Sequence, residues 1–504
     1  LENNSSGSNN VAVGFEACKA TSTGAHNIGI GFRSFKVNTT GSQNVAIGSY
    51  ALDDNTTVDG NTAIGYAAMA ANTTGTGNTA VGSHAADANS TGTALTAVGW
   101  YALSGNTTGQ HNTAVGRECM IENTTGGNNT AVGVECLKEN TTASQNAALG
   151  YHALRANTTA ANNTAVGYEA LKANTTAGQN TAVGSGALKS NTTGYSHTAV
   201  GAGALDNQNG GYHCTAVGVD ALAACTGGVN NTAIGMSALD SVTTGNHNTA
   251  LGQAAGHSIQ TGNGNAIVGH QAGANFTQHN LTAMGSYAAH SLTTGGQNTC
   301  FGDNTLRSAT QSINNVAIGT NALYSLNSTV TGGDNVVIGR YGNMLMTTGT
   351  STTSVGSNAG YHTTTGTYNI NISGQPSSAT ASYEITLGNT GHSTLRCNDT
   401  SIGSLSDRRD KTDIVDLPIG LNFLNTLKPR QFKWKTRDGN IKDNSIRCGF
   451  IAQELQDAEK DYKYLKLVYD ENPNRLEANE GHLIPLLVKA IQELSAKVTA
   501  LEAA

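Results

Sequence analysis

The chain has 504 residues, of which only 12% are charged, and its formal net charge at pH 7 is −7. Residues 401–504 carry 16 acidic and 16 basic side chains, so the net charge falls on the first 400 residues. Nucleic-acid binding needs clustered Lys and Arg, and a membrane span needs roughly 18 consecutive apolar residues; the sequence has neither. We therefore expect no nucleic-acid partner and no insertion into a membrane.

One glycine returns every 17 residues. It occurs sixteen times in succession from Gly14 to Gly269, and with looser spacing at Gly285, Gly302, Gly319, Gly339 and Gly356. Each of these repeat glycines closes the same kind of phrase, such as NTAVG at residues 163–167. A short fixed period is typical of a solenoid whose turns stack on one another. The sequence therefore predicts a mostly β fold in which residues 1–356 form a 17-residue-repeat β-solenoid (β-roll) shaft.

One turn can be interpreted residue by residue. Residues 164–166 alternate as a short strand, and the small Ala165 at its centre predicts another wall close by, either across a thin coil or along a symmetry axis. The repeat glycine permits a sharp corner, and Leu171 buries a second apolar step. Residues 174–176, Asn-Thr-Thr, are expected to form the outer turn through side-chain hydrogen bonds to the backbone. The same phrase is formally a glycosylation sequon, but we interpret it as a turn.

A 17-residue turn encloses little core, so such a coil is expected to gain stability by associating laterally. Stacking at about 4.8 Å per turn gives a rod of roughly 95 Å. The repeated small-apolar-Gly phrase resembles the left-handed β-roll heads of trimeric autotransporter adhesins, whose period is shorter. That resemblance implies a trimeric shaft.

The cysteines and histidines do not indicate a metal or cofactor site. Cys119 and Cys136 occupy a position where most turns have Ala, which is typical of small buried apolar residues. The sequence has no CxxC pair and no repeated calcium-binding GGxGxD phrase. We expect no cofactor and no bound metal.

Large aromatic residues recur directly after the repeat glycine. Lateral packing or a trimer contact is their commoner role, and stacking on the faces of sugar rings is the alternative. The candidates for contact with a glycan are Phe15, Phe32, Tyr66, Trp100, Tyr151 and Tyr168.

The regular repeat is expected to end near residue 356. Residues 357–405 are rich in Ser and Thr, and we interpret them as a neck or tip. The chain begins inside the repeat pattern, so we expect an anchoring N-terminal region to be missing.

Four phrases near the C-terminus occur in a characteristic order. They are SDRRDKTDI at 406–414, LNTLKP at 424–429, FKW at 432–434 and GFIAQE at 449–454, followed by a closing helix around 487–494. Together they resemble the endosialidase-type intramolecular chaperone that ends many phage tail spikes and fibres and also occurs in myelin regulatory factor. The resemblance implies a small α+β domain over residues 406–504 that drives trimer assembly and then cuts itself off, which locks the fibre kinetically.

Carried over residue by residue, the resemblance implies that Ser406 is the nucleophile, that Lys411 is its base, and that the Leu405–Ser406 bond is broken. A serine hydroxyl becomes an effective nucleophile when a base takes its proton. A spacing of five places the two residues on different faces of a strand or a helix. Either the backbone turns between them or the lysine comes from a neighbouring chain.

The last helix carries a heptad seam. Its apolar residues alternate spacings of three and four: Ile484, Leu487, Ile491, Leu494, Val498 and Leu501. The seam predicts a coiled coil, for which we expect three strands. An amphipathic helix folded onto its own domain is the alternative.

The combined features predict a structural fibre of a virus, most simply a bacteriophage tail fibre or spike, that attaches to a host-surface glycan or protein receptor. We expect it to join the virion tail or baseplate through the missing N-terminal region and to recognise the host through the neck, residues 357–405. It would be made in the host cytoplasm and act on the virion surface, outside the cell. The alternative is a cell-surface adhesive or structural filament of the trimeric adhesin type. The only enzyme activity expected is self-cleavage. A depolymerase is disfavoured because Glu118, Glu135 and Glu169 recur in one column instead of converging, and ice binding would not explain the chaperone.

Overall fold

The computed structural model describes residues 1–326, 333–376, 378–389, 406–435, 441–470 and 476–503. It confirms the predicted β-solenoid. Twenty-three three-residue strands form one parallel ladder in which each strand pairs with the next along the chain. Strands β1 to β23 are Val11–Val13, Ile28–Ile30, Val45–Ile47, Thr62–Ile64, Thr79–Val81, Thr96–Val98, Thr113–Val115, Thr130–Val132, Ala147–Leu149, Thr164–Val166, Thr181–Val183, Thr198–Val200, Thr215–Val217, Thr232–Ile234, Thr249–Leu251, Ala266–Val268, Thr282–Met284, Thr299–Phe301, Val316–Ile318, Val336–Ile338, Thr353–Val355, Ile370–Ile372 and Ile385–Leu387.

The ladder continues beyond residue 356, where the sequence predicts the end of the regular shaft. Thr353 pairs with Ile370, and Ile370 pairs with Ile385, in the same parallel register. The first part of the predicted neck, as far as Leu387, is therefore solenoid. Residues 390–405 lie outside the described part of the chain.

The interior of each turn is filled from two sides. Ala165 and Leu171 are completely buried within the single chain, as are their equivalents in most turns. The small central residue of the strand therefore reflects close approach across a thin coil. Of the two explanations that the sequence allows for Ala165, the structure selects this one.

Two ladders of buried asparagine run along the shaft. One of them contains the Asn of the Asn-Thr-Thr phrase, which the sequence predicts to lie in an outer turn. Asn163 and Asn174 of one turn both donate to the carbonyl oxygen of Ala177, at 3.0 and 2.9 Å. Both side chains are buried, so the Asn of the Asn-Thr-Thr phrase is an inner corner and only the residues after it face outward. A buried amide satisfies backbone groups that a 17-residue turn could not pair otherwise.

Each turn places several residues in the left-handed region of backbone conformation. Gly167 has φ of +141°, and a Cβ there would collide with the carbonyl of Gly184 in the next turn. Three residues of the same turn are left-handed without being glycine: Glu169 at +56°, Leu171 at +51° and Gln179 at +64°. Hydrogen bonds between turns, such as Leu171 N–H to Ala187 O at 3.0 Å, hold this unfavourable backbone in place.

The C-terminal region has its own small core. Helix α1 spans Leu421–Leu424, α2 Ala452–Ala458 and α3 Leu483–Glu502; β24 (Arg430–Lys435) pairs antiparallel with β25 (Ile441–Gly449), and β26 (Val468–Tyr469) with β27 (Glu477–Ala478). Short 3-10 turns occupy Arg408–Asp410, Lys463–Leu465 and Glu480–His482. The core is built from Phe423, Leu455, Leu465, Leu467, Val468, Leu483 and Leu486.

Cys119 and Cys136 are buried, as the sequence predicts, and carry free thiols. Among the described residues, no group of His, Cys, Asp and Glu has the arrangement of a metal site. No helix in the described part of the chain is both long and apolar enough to cross a bilayer.

Candidate functional site

The side chains of Ser406 and Lys411 meet in the structure. Lys411 Nζ donates a hydrogen bond to Ser406 Oγ at 2.5 Å. At this separation a neutral lysine can instead accept the proton of the serine hydroxyl, as a base must. Leu405, on the other side of the bond expected to break, lies outside the described residues.

A tight turn brings the two residues together. The backbone forms a 3-10 turn over Arg408–Asp410, closed by a hydrogen bond from the Lys411 N–H to the Arg408 carbonyl. At its start, the Asp407 carboxylate accepts from the Arg409 N–H at 2.8 Å. Of the two arrangements that the spacing of five allows, the structure shows a backbone turn within one chain.

The carboxylate next to Ser406 in the chain, that of Asp407, is paired with Arg409 and not with Lys411. The Arg409 guanidinium contacts the Asp407 carboxylate at 2.6 Å and lowers the pKa of that carboxyl. Asp407 is thus engaged by its neighbour two residues along the chain. Both Ser406 and Lys411 are exposed in the single chain.

Comparison with known proteins agrees with this reading of the C-terminal region. Residues 406–465 match the model of a family described as the chaperone of endosialidase. The match begins at Ser406 and includes Lys411 and the three later phrases, and it ends before α3. No curated protein and no solved structure matches the chain. The chain therefore joins a β-solenoid shaft to a segment of the endosialidase chaperone type.

The heptad seam of α3 is exposed. Helix α3 packs on its own domain through Leu483, Leu486 and Ala490, and its Glu493 carboxylate accepts from the Leu421 N–H at 2.8 Å. The six seam residues lie on a different face and are 45 to 78% exposed. Helix α3 therefore does fold onto its own domain, as the alternative expects, but it does so through a neighbouring face, and the seam stays exposed in the single chain.

The predicted aromatic column is part of a larger array. Four of its members are linked by rings that the sequence analysis missed, to give the aromatic ladder: Phe15, Phe32, Tyr50, Tyr66, His84, Tyr101 and Trp100. Successive ring centroids lie 4.5 to 5.9 Å apart. The missed residues Tyr50, His84 and Tyr101 stand two positions after the repeat glycine, where a left-handed backbone turns them toward the first column. The other two members, Tyr151 and Tyr168, stack separately on each other at 5.4 Å.

A shallow groove of about 360 Å³ opens along this ladder. The rings of Tyr50, Tyr66 and His84 line the groove together with small alanine side chains, and Asp53 and Asp87 contribute carboxylates. His84 Nδ1 lies 2.8 Å from Asp87, and burial raises the pKa of Asp53. Rings beside carboxylates can hold the apolar face and the hydroxyls of a sugar at once.

The recurring acids are paired with bases. Lys138 contacts both Glu118 and Glu135, at 2.7 and 3.4 Å, and Glu169 lies between Lys172 and Lys189, at 2.6 and 2.9 Å. Hydrogen bonds from these two lysines lower the pKa of Glu169 to about 2. The general acid of a glycosidase requires the opposite shift, so Glu169 does not have the properties of such an acid.

Proposed function

We propose that this chain is a viral fibre protein, of the bacteriophage tail fibre or tail spike type, that assembles as a homotrimer and attaches to a host cell surface. The observation that supports this most is the union of a long β-solenoid with a chaperone-of-endosialidase segment in one chain. A stack of this kind folds slowly through long-range strand pairing and exposes strand edges meanwhile. A covalently attached chaperone would protect the exposed edges and guide strand pairing while the shaft folds.

We further propose that the chaperone releases itself before Ser406. Ser406 Oγ attacks the carbonyl carbon of Leu405, and Lys411 accepts the hydroxyl proton. An ester bond forms as the C–N bond breaks, and the amine of Ser406 takes up the proton. Water then hydrolyses the ester. The net reaction consumes one water and leaves a shaft ending at Leu405 and a fragment starting at Ser406.

Assembly supplies what the single chain lacks for this reaction. A lysine acts as a base in its neutral form, which removal from water favours. Lys411 is exposed in the single chain, so a neighbouring copy that covers it would promote the cut. Cleavage is thereby proposed to follow trimer formation.

Mass spectrometry of expressed full-length protein tests the cut. The wild type should yield the two fragments, whereas Ser406→Ala and Lys411→Ala should each leave the chain intact. Lys411→Arg should also stay intact, because arginine retains the charge but does not deprotonate. Lys428→Arg, at an exposed lysine outside the site, is the matched control and should cut normally. Efficient cutting in the Ser406→Ala or Lys411→Arg variant would rule out the assigned pair.

Deleting residues 406–504 before expression tests the chaperone role. The shaft alone should be insoluble or unassembled, whereas full-length Ser406→Ala should give a soluble, uncut trimer. A native trimer from the truncated chain would show that the domain is dispensable.

The ligand class that we propose for attachment is a cell-surface glycan bound along the aromatic ladder. The groove between Tyr50, Tyr66 and His84 combines ring faces with the Asp53 and Asp87 carboxylates. Repeated rungs offer many weak contacts, which together give avidity.

A further inference from the structure

One surface of the shaft is free of charge along its whole length. The middle residue of every strand from β2 to β22 is buried, so the first and third residues point away from the coil. We call the surface formed by the first and third residues of β1–β23 the strand face. The third position is Val, Ile, Leu, Met or Phe in all 23 strands, and neither position carries a charge in any of them.

The rest of the turn differs in this respect. The ion pairs of the shaft, such as Glu118 with Lys138 and Glu169 with Lys189, join a glutamate two positions after the repeat glycine to a lysine directly after the second apolar step, within one chain. Large apolar residues of the strand face, by contrast, remain exposed to solvent in the single chain. Leu149 is 50% exposed and Phe301 is 49% exposed. An uncharged surface of this length, in which the third residue of every strand is aliphatic or aromatic and many first residues are Thr, indicates a contact with another molecule.

At the last two turns the usual polarity is inverted. The middle strand residue, usually Ala, becomes Asn371, whose buried amide donates to Ser354 Oγ of the preceding turn at 3.1 Å. The outward residues become aliphatic in both positions, and Tyr368 and Tyr383 stack beside them at 5.0 Å. These outward residues are 38 to 70% exposed: Ile370, Ile372, Ile385 and Leu387. A polar interior beneath an aliphatic exterior is expected when the exterior is buried in an assembly.

We propose that the strand face is the contact between copies of this chain, packed in parallel about a common axis with the same turn of each copy at the same height. The contact rests on the proposed homotrimer. Three identical chains related by cyclic symmetry are necessarily parallel, and the exposed heptad seam of α3 offers a second self-complementary surface in the same chain. Parallel packing sets each aliphatic rung against its own equivalents. No opposite charge is needed, in agreement with the composition of the face.

Cross-linking between copies tests this contact at single rungs. Val183 lies on the strand face and is 36% exposed, and Lys189 of the same turn lies in the ionic ladder with a 45% exposed side chain. Each is replaced by cysteine in a full-length Ser406→Ala, Cys448→Ser, Cys397→Ser background and treated with a short bismaleimide. Val183→Cys should link copies into dimers on a denaturing gel. Lys189→Cys should not link them.

Introducing charge on the strand face provides a second, independent readout. Val183→Glu with Val200→Glu should lose the trimer mass in analytical ultracentrifugation, whereas Asn162→Glu with Gln179→Glu, at two exposed positions one turn apart outside the strand face, should keep it. If the glutamate pair also prevents folding, the conservative Val183→Cys cross-link still decides. A trimer that tolerates the Val183 and Val200 changes, or that links through Lys189→Cys alone, overturns this contact and leaves the trimer standing. A monomeric wild type overturns both. Intact trimer with lost cell binding in the Val183 and Val200 variant would assign the face to a receptor and so also overturn it.

Discussion

The side-chain amide of Asn174 donates a hydrogen bond to Oδ1 of Asn157, one turn earlier, at 2.9 Å, and neither side chain is exposed to solvent. Asn174 also donates to the Ala177 carbonyl at 2.9 Å and accepts from Asn191 at 3.1 Å. Each amide therefore depends on the amides above and below it. In a low-dielectric interior, a group left without its partner costs more than the hydrogen bond contributes when made.

Asn174→Asp should be strongly destabilising although it keeps the volume of the side chain. The change removes the amide donor and buries a carboxylate, which should lower the free energy of unfolding by about 3 kcal/mol or more at pH 7. The loss should diminish as the pH falls and the new carboxyl protonates. Denaturant-induced unfolding at pH 7 and pH 4 measures it. The matched control is Asn162→Asp, at an exposed position, which should change stability by about 0.5 kcal/mol at most. Equal effects at the two sites would contradict the buried ladder.

Gln179→Gly should leave the stability unchanged or raise it by up to about 1 kcal/mol, because glycine relieves a left-handed backbone at +64°. Equivalent positions in earlier turns, Gly60 and Gly77, already carry glycine at +72° and +66°. Gln179→Val, with a β-branched side chain at the same φ, should instead lower it. Thermal unfolding of the two variants compares them directly. A glycine variant less stable than the valine variant would contradict the assigned strain.

Glu169 should stabilise the shaft only above acidic pH. Its folded-state pKa of about 2 lies below its ordinary value, so its contribution is fully present above roughly pH 4.5 and is lost as the pH falls through about 2. Glu169→Gln should therefore melt at a lower temperature than the wild type at pH 7. The two melting curves should converge near pH 2. A difference that persists unchanged at pH 2 would show that the carboxylate does not act through its charge on Lys172 and Lys189.

Host recognition can be assigned to the neck or to the shaft by two complementary changes. Recognition by residues 357–405 predicts that replacing them with the neck of a related fibre alters cell binding. The aromatic ladder predicts instead that Tyr66→Ala with Trp100→Ala abolishes it, because two of the seven rings of the ladder are removed and the series is interrupted. Tyr195→Ala with Tyr212→Ala, a stacked pair outside the ladder, is the matched control. Binding that survives the neck exchange but not the Tyr66 and Trp100 changes would assign the receptor surface to the shaft.

Much of the architecture could be predicted from the sequence because a strict period leaves few ways to bury a repeated apolar residue. A glycine every 17 residues beside Ala165 and Leu171 requires turns that stack in register, and strand pairing from Val11 to Val355 follows that register. The motif around Ser406 and Lys411 can likewise be recognised from the sequence, because its phrases are short and ordered, and a family model matches them. The parallel ladder continues past residue 356 because Ile370 pairs with Thr353 and Ile385 in register although Ser373, and not a glycine, follows its strand.

Other features were decided only by the tertiary structure. Asn and Thr favour turns in any sequence, and only the stacking of identical turns shows that Asn174 lies inside, since its partner Asn157 is seventeen residues away. The approach of Lys411 to Ser406 depends on a 3-10 turn that spacing alone left open. The ring of Tyr50 joins its neighbours because a left-handed backbone redirects it, which no periodic pattern records. The sequence by itself determined what repeats along the chain, because stacking propagates a single local choice. The tertiary structure decided which side of each turn faces inward, because burial depends on the turns above and below.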